Sequence, residues 1–221
     1  MNEATIDALN EINRQIAASC KIANRDRGTV QLIAVSKTRT ADAILPLLNA
    51  GHRVFGENRV QEAEAKWPAL KAEFPDVELH LIGQLQSNKA SEAVAAFDCI
   101  HSLDRLSLVK ALGKAMRDAG KPVPCFLQVN IGAEEQKGGC AIADMPALLA
   151  AATDEGIPII GLMCLPPADT EPAPFFALLA EVASRNGLVQ LSMGMSDDFG
   201  TAIMLGATHI RVGTALFGQR T

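Results

Sequence analysis

An α/β chain closing a single (β/α)8 (TIM) barrel is the fold this sequence predicts. Apolar, β-branched runs of strand length recur at intervals too long for hairpins, and amphipathic helical patterns fill those intervals. About eight such units occur, and strand–helix alternation implies parallel strands joined by right-handed crossovers. The 221 residues suit one barrel, so 1–221 reads as a single domain, without linker or low-complexity segment. An open doubly wound sheet is the competing architecture, and the strand count favours closure.

A helix is expected first, over residues 6–24, with Leu9, Ile12, Ile16 and Ala17 forming its apolar stripe. Little chain remains after the eighth strand to supply a last helix, so this N-terminal helix is expected to complete the outer ring between strands eight and one. The strand candidates are 31–36, 52–56, 78–83, 99–102, 125–130, 159–165, 188–194 and 209–213. Helical patterns cover 41–49, 58–73, 106–119, 145–154, 174–186 and 198–205. Gly51, Gly120, Gly156, Gly187 and Gly206 follow five helix ends, where a left-handed residue is needed.

Composition narrows the function classes. A formal charge of −5 without any basic run argues against nucleic acid or an anionic membrane as partner. No apolar stretch approaches the ~20 residues that span a bilayer. The polar N-terminus lacks secretory character. Five cysteines (Cys20, Cys99, Cys125, Cys140, Cys164) without a C-x-x-C pair fit core packing in a reducing cytoplasm rather than a disulfide frame or zinc site. No His/Asp/Glu group shows metal-ligand spacing, so no metal is expected.

The chemistry gathers where strands end. Lys37 closes the run Gln31-Leu32-Ile33-Ala34-Val35-Ser36, placing an amine at a strand's carboxyl end, the ligand-binding side of α/β folds. It reads either as a solvated rim charge or as an amine set to form a Schiff base with a carbonyl compound. Asn58, after the second strand, reads either as a ligand contact or as the N-cap of the next helix. Ser196, after strand seven, sits where a helix is expected to begin, which suits either a cap or an anion. Asp197 and Asp198 would oppose such an anion unless they turn to solvent and stabilise the helix start. Strand eight ends in Arg211-Val212-Gly213-Thr214: Gly213 permits close backbone approach, and Thr214 offers a hydroxyl and an amide. Loops after strands seven and eight form the recurrent phosphate site of these barrels. Arg211 shares a side with Gly213 and reads either as pointing into the barrel, where a buried guanidinium needs partners, or as an outward salt bridge, the former favoured by its apolar surroundings.

An amine on strand one across the mouth from a phosphate cradle suggests a phosphorylated aldehyde. Pyridoxal 5′-phosphate (PLP) has both handles, and an arginine facing its pyridine nitrogen is a recognised arrangement. A sugar-phosphate aldolase would share the amine and the cradle but would not explain Arg211 as readily.

Five ordered stretches carry a family resemblance. They are Ala34-Val35-Ser36-Lys37-Thr38, Phe55-Gly56-Glu57-Asn58-Arg59-Val60-Gln61-Glu62, His80-Leu81-Ile82-Gly83-Gln84-Leu85-Gln86-Ser87-Asn88-Lys89, Leu191-Ser192-Met193-Gly194-Met195-Ser196 and Arg211-Val212-Gly213-Thr214-Ala215-Leu216-Phe217-Gly218. From about Leu9 to Arg220 the chain resembles the PLP homeostasis (PLP-binding) protein family, similar in fold to the barrel domain of alanine racemase. The resemblance implies PLP held as a covalent aldimine with Lys37, Asn58 beside it and Arg211 facing the pyridine nitrogen, with Ser196, Gly213 and Thr214 on the phosphate. It also implies a protein of vitamin B6 homeostasis that stores PLP or delivers it to apo PLP-dependent enzymes; the cysteine usage points to the cytoplasm, and the single domain makes a monomer the simplest expectation. The segment 132–139 receives no role.

A PLP-dependent racemase or lyase is the alternative. Two-base racemisation needs an acid/base on the opposite face of the cofactor, a tyrosine in alanine racemase, and this chain has no tyrosine. Of the four histidines only His101, near the end of strand four, could substitute, and packing is its expected role. No catalytic residue is assigned.

Overall fold

The computed structural model describes residues 2–218. α1 (Asn2–Ile22) leads into β1 (Gln31–Val35), α2 (Ala41–Asn49), β2 (Val54–Glu57), α3 (Val60–Glu73) and β3 (Glu78–Leu81). α4 (Ala90–Ala96), β4 (Cys99–Leu103), α5 (Leu106–Ala119), β5 (Cys125–Gln128), α6 (Met145–Asp154) and β6 (Ile159–Met163) follow. α7 (Ala173–Arg185), β7 (Gln190–Ser192), α8 (Phe199–Met204), β8 (His209–Val212) and α9 (Thr214–Phe217) complete the order. The eight strands pair in sequence and β8 returns to β1, closing a parallel barrel with Ile33 opposite Arg211 and Ala34 opposite Val212. No helix among the described residues is long and apolar enough to cross a membrane.

α9 has only four residues, and α1 supplies the missing outer helix, packing against α8, α9 and α2. Its buried positions are Leu9, Ile12, Ile16 and Cys20. Ala17, expected in that stripe, is exposed, because at 100° per residue it falls off the line that Cys20 continues. The five post-helical glycines all take positive φ, from 61° at Gly120 to 102° at Gly206. α4 has no counterpart in the sequence reading: it is short, alanine-rich and lacks a side-chain cap. β7 is shorter than expected, because Val189 is 80% exposed and Gly194 turns left-handed (φ 92°).

Two close approaches set the wall that carries the site. A Cβ on Gly56 would lie 2.8 Å from Ile33 Cγ2, and one on Gly83 would lie 2.3 Å from the Asn58 carbonyl oxygen. Glycine at both positions lets the ends of β1, β2 and β3 converge. There Glu57, fully buried, gathers three donors on Oε1: Lys66 Nζ at 2.7 Å, Ser36 Oγ at 2.6 Å and Trp67 Nε1 at 3.0 Å. Lys66 also donates to the Ser36 and Arg39 carbonyls, both at 3.0 Å. A buried carboxylate persists only when paired in this way.

The barrel interior is unusually polar below the mouth. His80, His101, Ser192, Gln128 and Arg211 are all buried, and His101 stacks on Phe126 at 4.3 Å between ring centroids. The structure also gathers His80, Cys99 and His101 with donor atoms within 4.8 Å of one another, a grouping the linear spacing did not reveal. Burial lowers the pKa of His52, drives that of His101 well below the ordinary histidine value and brings that of His209 down to about 3. All five cysteines are buried free thiols, Cys125 and Cys164 pushed up by burial, the latter to about 12.

A pH dependence of stability follows from His209. Above its ordinary pKa of 6.5 the ring is neutral in both folded and unfolded chains; between 6.5 and about 3 only the unfolded chain takes the proton. Each such ring lowers stability by up to ~1.4 kcal/mol per pH unit as pH falls through that window. Urea midpoints should fall from pH 7 to pH 5, and less steeply in His209→Asn; equal slopes in the two proteins would remove this assignment. Glu57→Gln should cost ~3 kcal/mol by removing the shorter, fully buried ion partner of Lys66 and leaving it Glu62 at 3.3 Å, and adding Lys66→Met should recover much of that loss. A double variant no more stable than the single would mean that packing, not charge, holds this corner.

Candidate functional site

Lys37 leaves the carboxyl end of β1 half-buried, and the next residue, Thr38, is left-handed (φ 62°). A β-branched residue held there is strained and must be pinned by its surroundings. The pins are local: the Thr38 amide donates to Glu62 Oε1, and Lys66 holds the carbonyls of Ser36 and Arg39 on either side. The Glu57 corner therefore fixes the backbone that aims Lys37.

Asn58 follows Glu57 directly. The N-cap position of α3 belongs to Arg59, and no side chain caps that helix, so the capping reading of Asn58 does not hold. Instead Asn58 lines a cavity of about 330 Å³ at the barrel mouth, together with Lys37, Ser196, Arg211, Gly213 and Thr214. Ile82 and Leu165 contribute apolar wall, and Thr38, Met195, Asp197 and Thr214 form an exposed rim. All six residues singled out in the sequence thus share one space.

Three local expectations change. Because closure makes the first and last strands neighbours, Lys37 stands beside the strand-eight turn rather than across the mouth from it. A Cβ on Gly213 would sit 3.3 Å from Val35 Cβ and from the Val35 carbonyl oxygen, so the turn lies tight against β1. Ser196 is not at a helix start, since α8 begins at Phe199; its Oγ instead accepts from the Ala215 amide in the first turn of α9, at 3.4 Å. Finally, Asp198 does not face solvent. It is half-buried and accepts from the Met195 amide at 2.5 Å, bracing the Ser196 turn, and burial raises its pKa. Of the two aspartates, Asp197 is the one exposed at the rim.

Arg211 points into the barrel, as strand alternation requires, and is 4% exposed. Its Nη1 donates to Ser192 Oγ at 2.6 Å and its Nη2 to the Cys164 carbonyl at 2.9 Å. No carboxylate hydrogen-bonds it among the described residues. Burial lowers its pKa from the ordinary value, yet a guanidinium keeps its charge in proteins, so the cavity has a cationic wall. His101 lies deeper, bonded to Ser192 and His80 and absent from the cavity lining, so it does not face the site as a second acid/base. The segment 132–139 also lies off the cavity, tied down by Gln128 Nε2 donating to the Gly138 carbonyl at 3.0 Å.

Sequence reasoning missed the supporting residues Glu57, Lys66 and Ser192. A carboxylate closing the apolar run Val54-Phe55-Gly56 was the one available signal for Glu57. Nothing in linear order ties Ser192 to Arg211. The donor set fits a phosphorylated aldehyde: a lysine amine, a buried cation, two hydroxyls and a glycine turn around one cavity.

Known proteins match this chain in sequence and fold. The family described as alanine racemase, N-terminal domain, matches residues 8–221. A pyridoxal phosphate homeostasis protein of Pseudomonas aeruginosa is 42% identical over 219 residues, covering 95% of this chain and 93% of that one. Its namesake in Escherichia coli K12 is 35% identical over 222 residues, covering 96% and 95%. The structure of PipY from Synechococcus elongatus with PLP bound superposes with a TM-score of 0.81 at 40% identity, covering 94% of this chain and 100% of that one. This chain belongs to the pyridoxal phosphate homeostasis protein family, on the barrel fold of the alanine racemase N-terminal domain.

Proposed function

We propose that this protein binds pyridoxal 5′-phosphate and serves intracellular vitamin B6 homeostasis, storing the cofactor and delivering it to apo PLP-dependent enzymes. The observation that carries this reading is the single cavity uniting the Lys37 amine, the buried Arg211 guanidinium and the Ser196 and Thr214 hydroxyls. PLP bound in PipY and the names of the close relatives support the ligand.

Lys37 would bond the aldehyde carbon covalently as a Schiff base, and Arg211 would face the pyridine nitrogen. Ser196, Thr214 and the backbone at Gly213 would hold the phosphate, with Asn58 beside the ring. When bound, the cofactor supplies an electrophilic aldehyde and an electron-accepting ring. Arg211 can donate a hydrogen bond but cannot accept a proton, so it favours an unprotonated pyridine nitrogen and a weaker electron sink. The exposed rim of Thr38, Met195 and Thr214 leaves a route to solvent, as delivery requires.

Protein loaded with PLP should show a visible absorbance band that Lys37→Ala abolishes; an unchanged band would place the reactive amine elsewhere. Ser196→Ala and Thr214→Ala should each weaken PLP retention by ~1.5–3 kcal/mol, the contribution of a hydrogen bond to a charged group, and unchanged affinity in both would dismiss the cradle. Mixed with an apo PLP-dependent enzyme, loaded protein should restore its activity faster than the release of PLP into solution allows. Multiple-turnover racemisation of an amino acid, lost in Lys37→Ala, would replace the carrier reading with an enzymatic one.

A further inference from the structure

No carboxylate hydrogen-bonds Arg211 among the described residues, and the partners it does have are ordered. Ser192 Oγ accepts from Arg211 Nη1 at 2.6 Å and lies 2.8 Å from His101 Nδ1. His101 Nε2 lies 2.9 Å from His80 Nδ1, and His80 Nε2 lies 3.7 Å from Glu78 Oε2 at the far end of the barrel. Ser192 and His101 are fully buried, His80 is 3% exposed, and the Glu78 side chain is about half exposed. The row spans the barrel from the candidate site to its opposite face.

The ends of this row fix the direction of every proton in it. Arginine only donates, so the serine oxygen accepts there and has one O–H left to give. Given to His101 Nδ1, it requires the proton of that ring on Nε2, which then donates to His80 Nδ1. The remaining His80 proton must sit on Nε2, and its N–H points at the Glu78 carboxylate. At 3.7 Å that last contact is electrostatic attraction rather than a short hydrogen bond, yet it suffices to choose the tautomer. The reverse order fails twice: it leaves the serine hydrogen unplaced among these partners and turns a ring lone pair toward Glu78.

The groups around His101 keep it neutral. His80 from β3, His209 and Arg211 from β8, Ser192 from β7 and Phe126 from β5 surround it. Burial is the first cause opposing its protonation, and Arg211, the neighbour that keeps its charge, adds to it. A neutral ring can accept from the serine; an imidazolium could not.

We propose that Ser192 and His101, backed by His80 and Glu78, are positioning residues for the cofactor site: a one-way hydrogen-bond chain that holds Arg211 toward the cavity and balances its charge. The proposal rests on the reading that this cavity binds PLP. Two of the guanidinium's five N–H bonds are committed, to Ser192 and to the Cys164 carbonyl, which fixes its plane and leaves the others available to a ligand. Neutral His101 relays polarisation without itself adding a buried charge.

The test has one arm that needs no ligand. Nitrogen-15 spectra of histidine-labelled, ligand-free protein at neutral pH should show His101 protonated at Nε2, with Nδ1 accepting; a proton on Nδ1 overturns the chain. In the second arm, Ser192→Ala should raise the apparent dissociation constant for PLP about tenfold and shift the absorbance band of the bound cofactor, whereas Ser192→Thr, keeping the hydroxyl, should stay within about twofold of the parent. Altered thermal stability with no change in affinity or band would overturn the positioning role alone. Parent protein that takes up no PLP would overturn the proposed function together with this role.

Discussion

Glu57 is a carboxylate with no access to water, and the wall of the barrel is built around one of its oxygens, Oε1. Lys66 from α3, Ser36 from the end of β1 and Trp67 from the core of α3 all reach the same oxygen. Withdrawing a charge from water costs several kcal/mol, so these partners cannot drift apart cheaply. The residues on either side of this corner are the ones that face the cavity: Lys37 follows Ser36, and Asn58 follows Glu57. One ion pair thus sets the spacing between the amine and the amide that share the site.

Arg211 presents the second buried charge, solved by a different physical route. Its partners are a hydroxyl, a carbonyl and, through the hydroxyl, a row of buried imidazoles. A carboxylate beside it would have cancelled the positive field that the cavity needs. Dipoles spread along the barrel stabilise the cation while leaving that field directed at the mouth. Aliphatic residues usually fill a barrel interior of this size, and here the polar row takes part of that volume.

The fold was legible because burial imposes periodicity. Strands such as Gln31–Val35 read as apolar runs and helices such as Leu106–Ala119 as amphipathic stripes, while a glycine after each of five helices marked its end. Elements held by weak local signals escaped. α4 is short and uncapped, and β7 was over-extended because Val189 is apolar yet exposed. Ala17 was misplaced for a related reason: alanine is apolar enough to join a stripe, but too small for its hydrophobicity to decide which way a helix turns.

The residues at strand ends were legible too, since chain order alone assigns them to one mouth once the barrel closes; Lys37, Asn58, Ser196, Arg211, Gly213 and Thr214 all line it. Family membership follows from the same stretches of sequence. What linear order could not supply was adjacency across the sheet. That Lys37 neighbours the strand-eight turn, that Ser196 meets the first turn of α9, and that Ser192 links Arg211 to His101 are consequences of closure and register. Sequence fixes which side of a strand a residue takes, because side chains alternate; only the closed barrel decides which residues from distant strands share a buried space, and there each buried charge and ring nitrogen finds its partner.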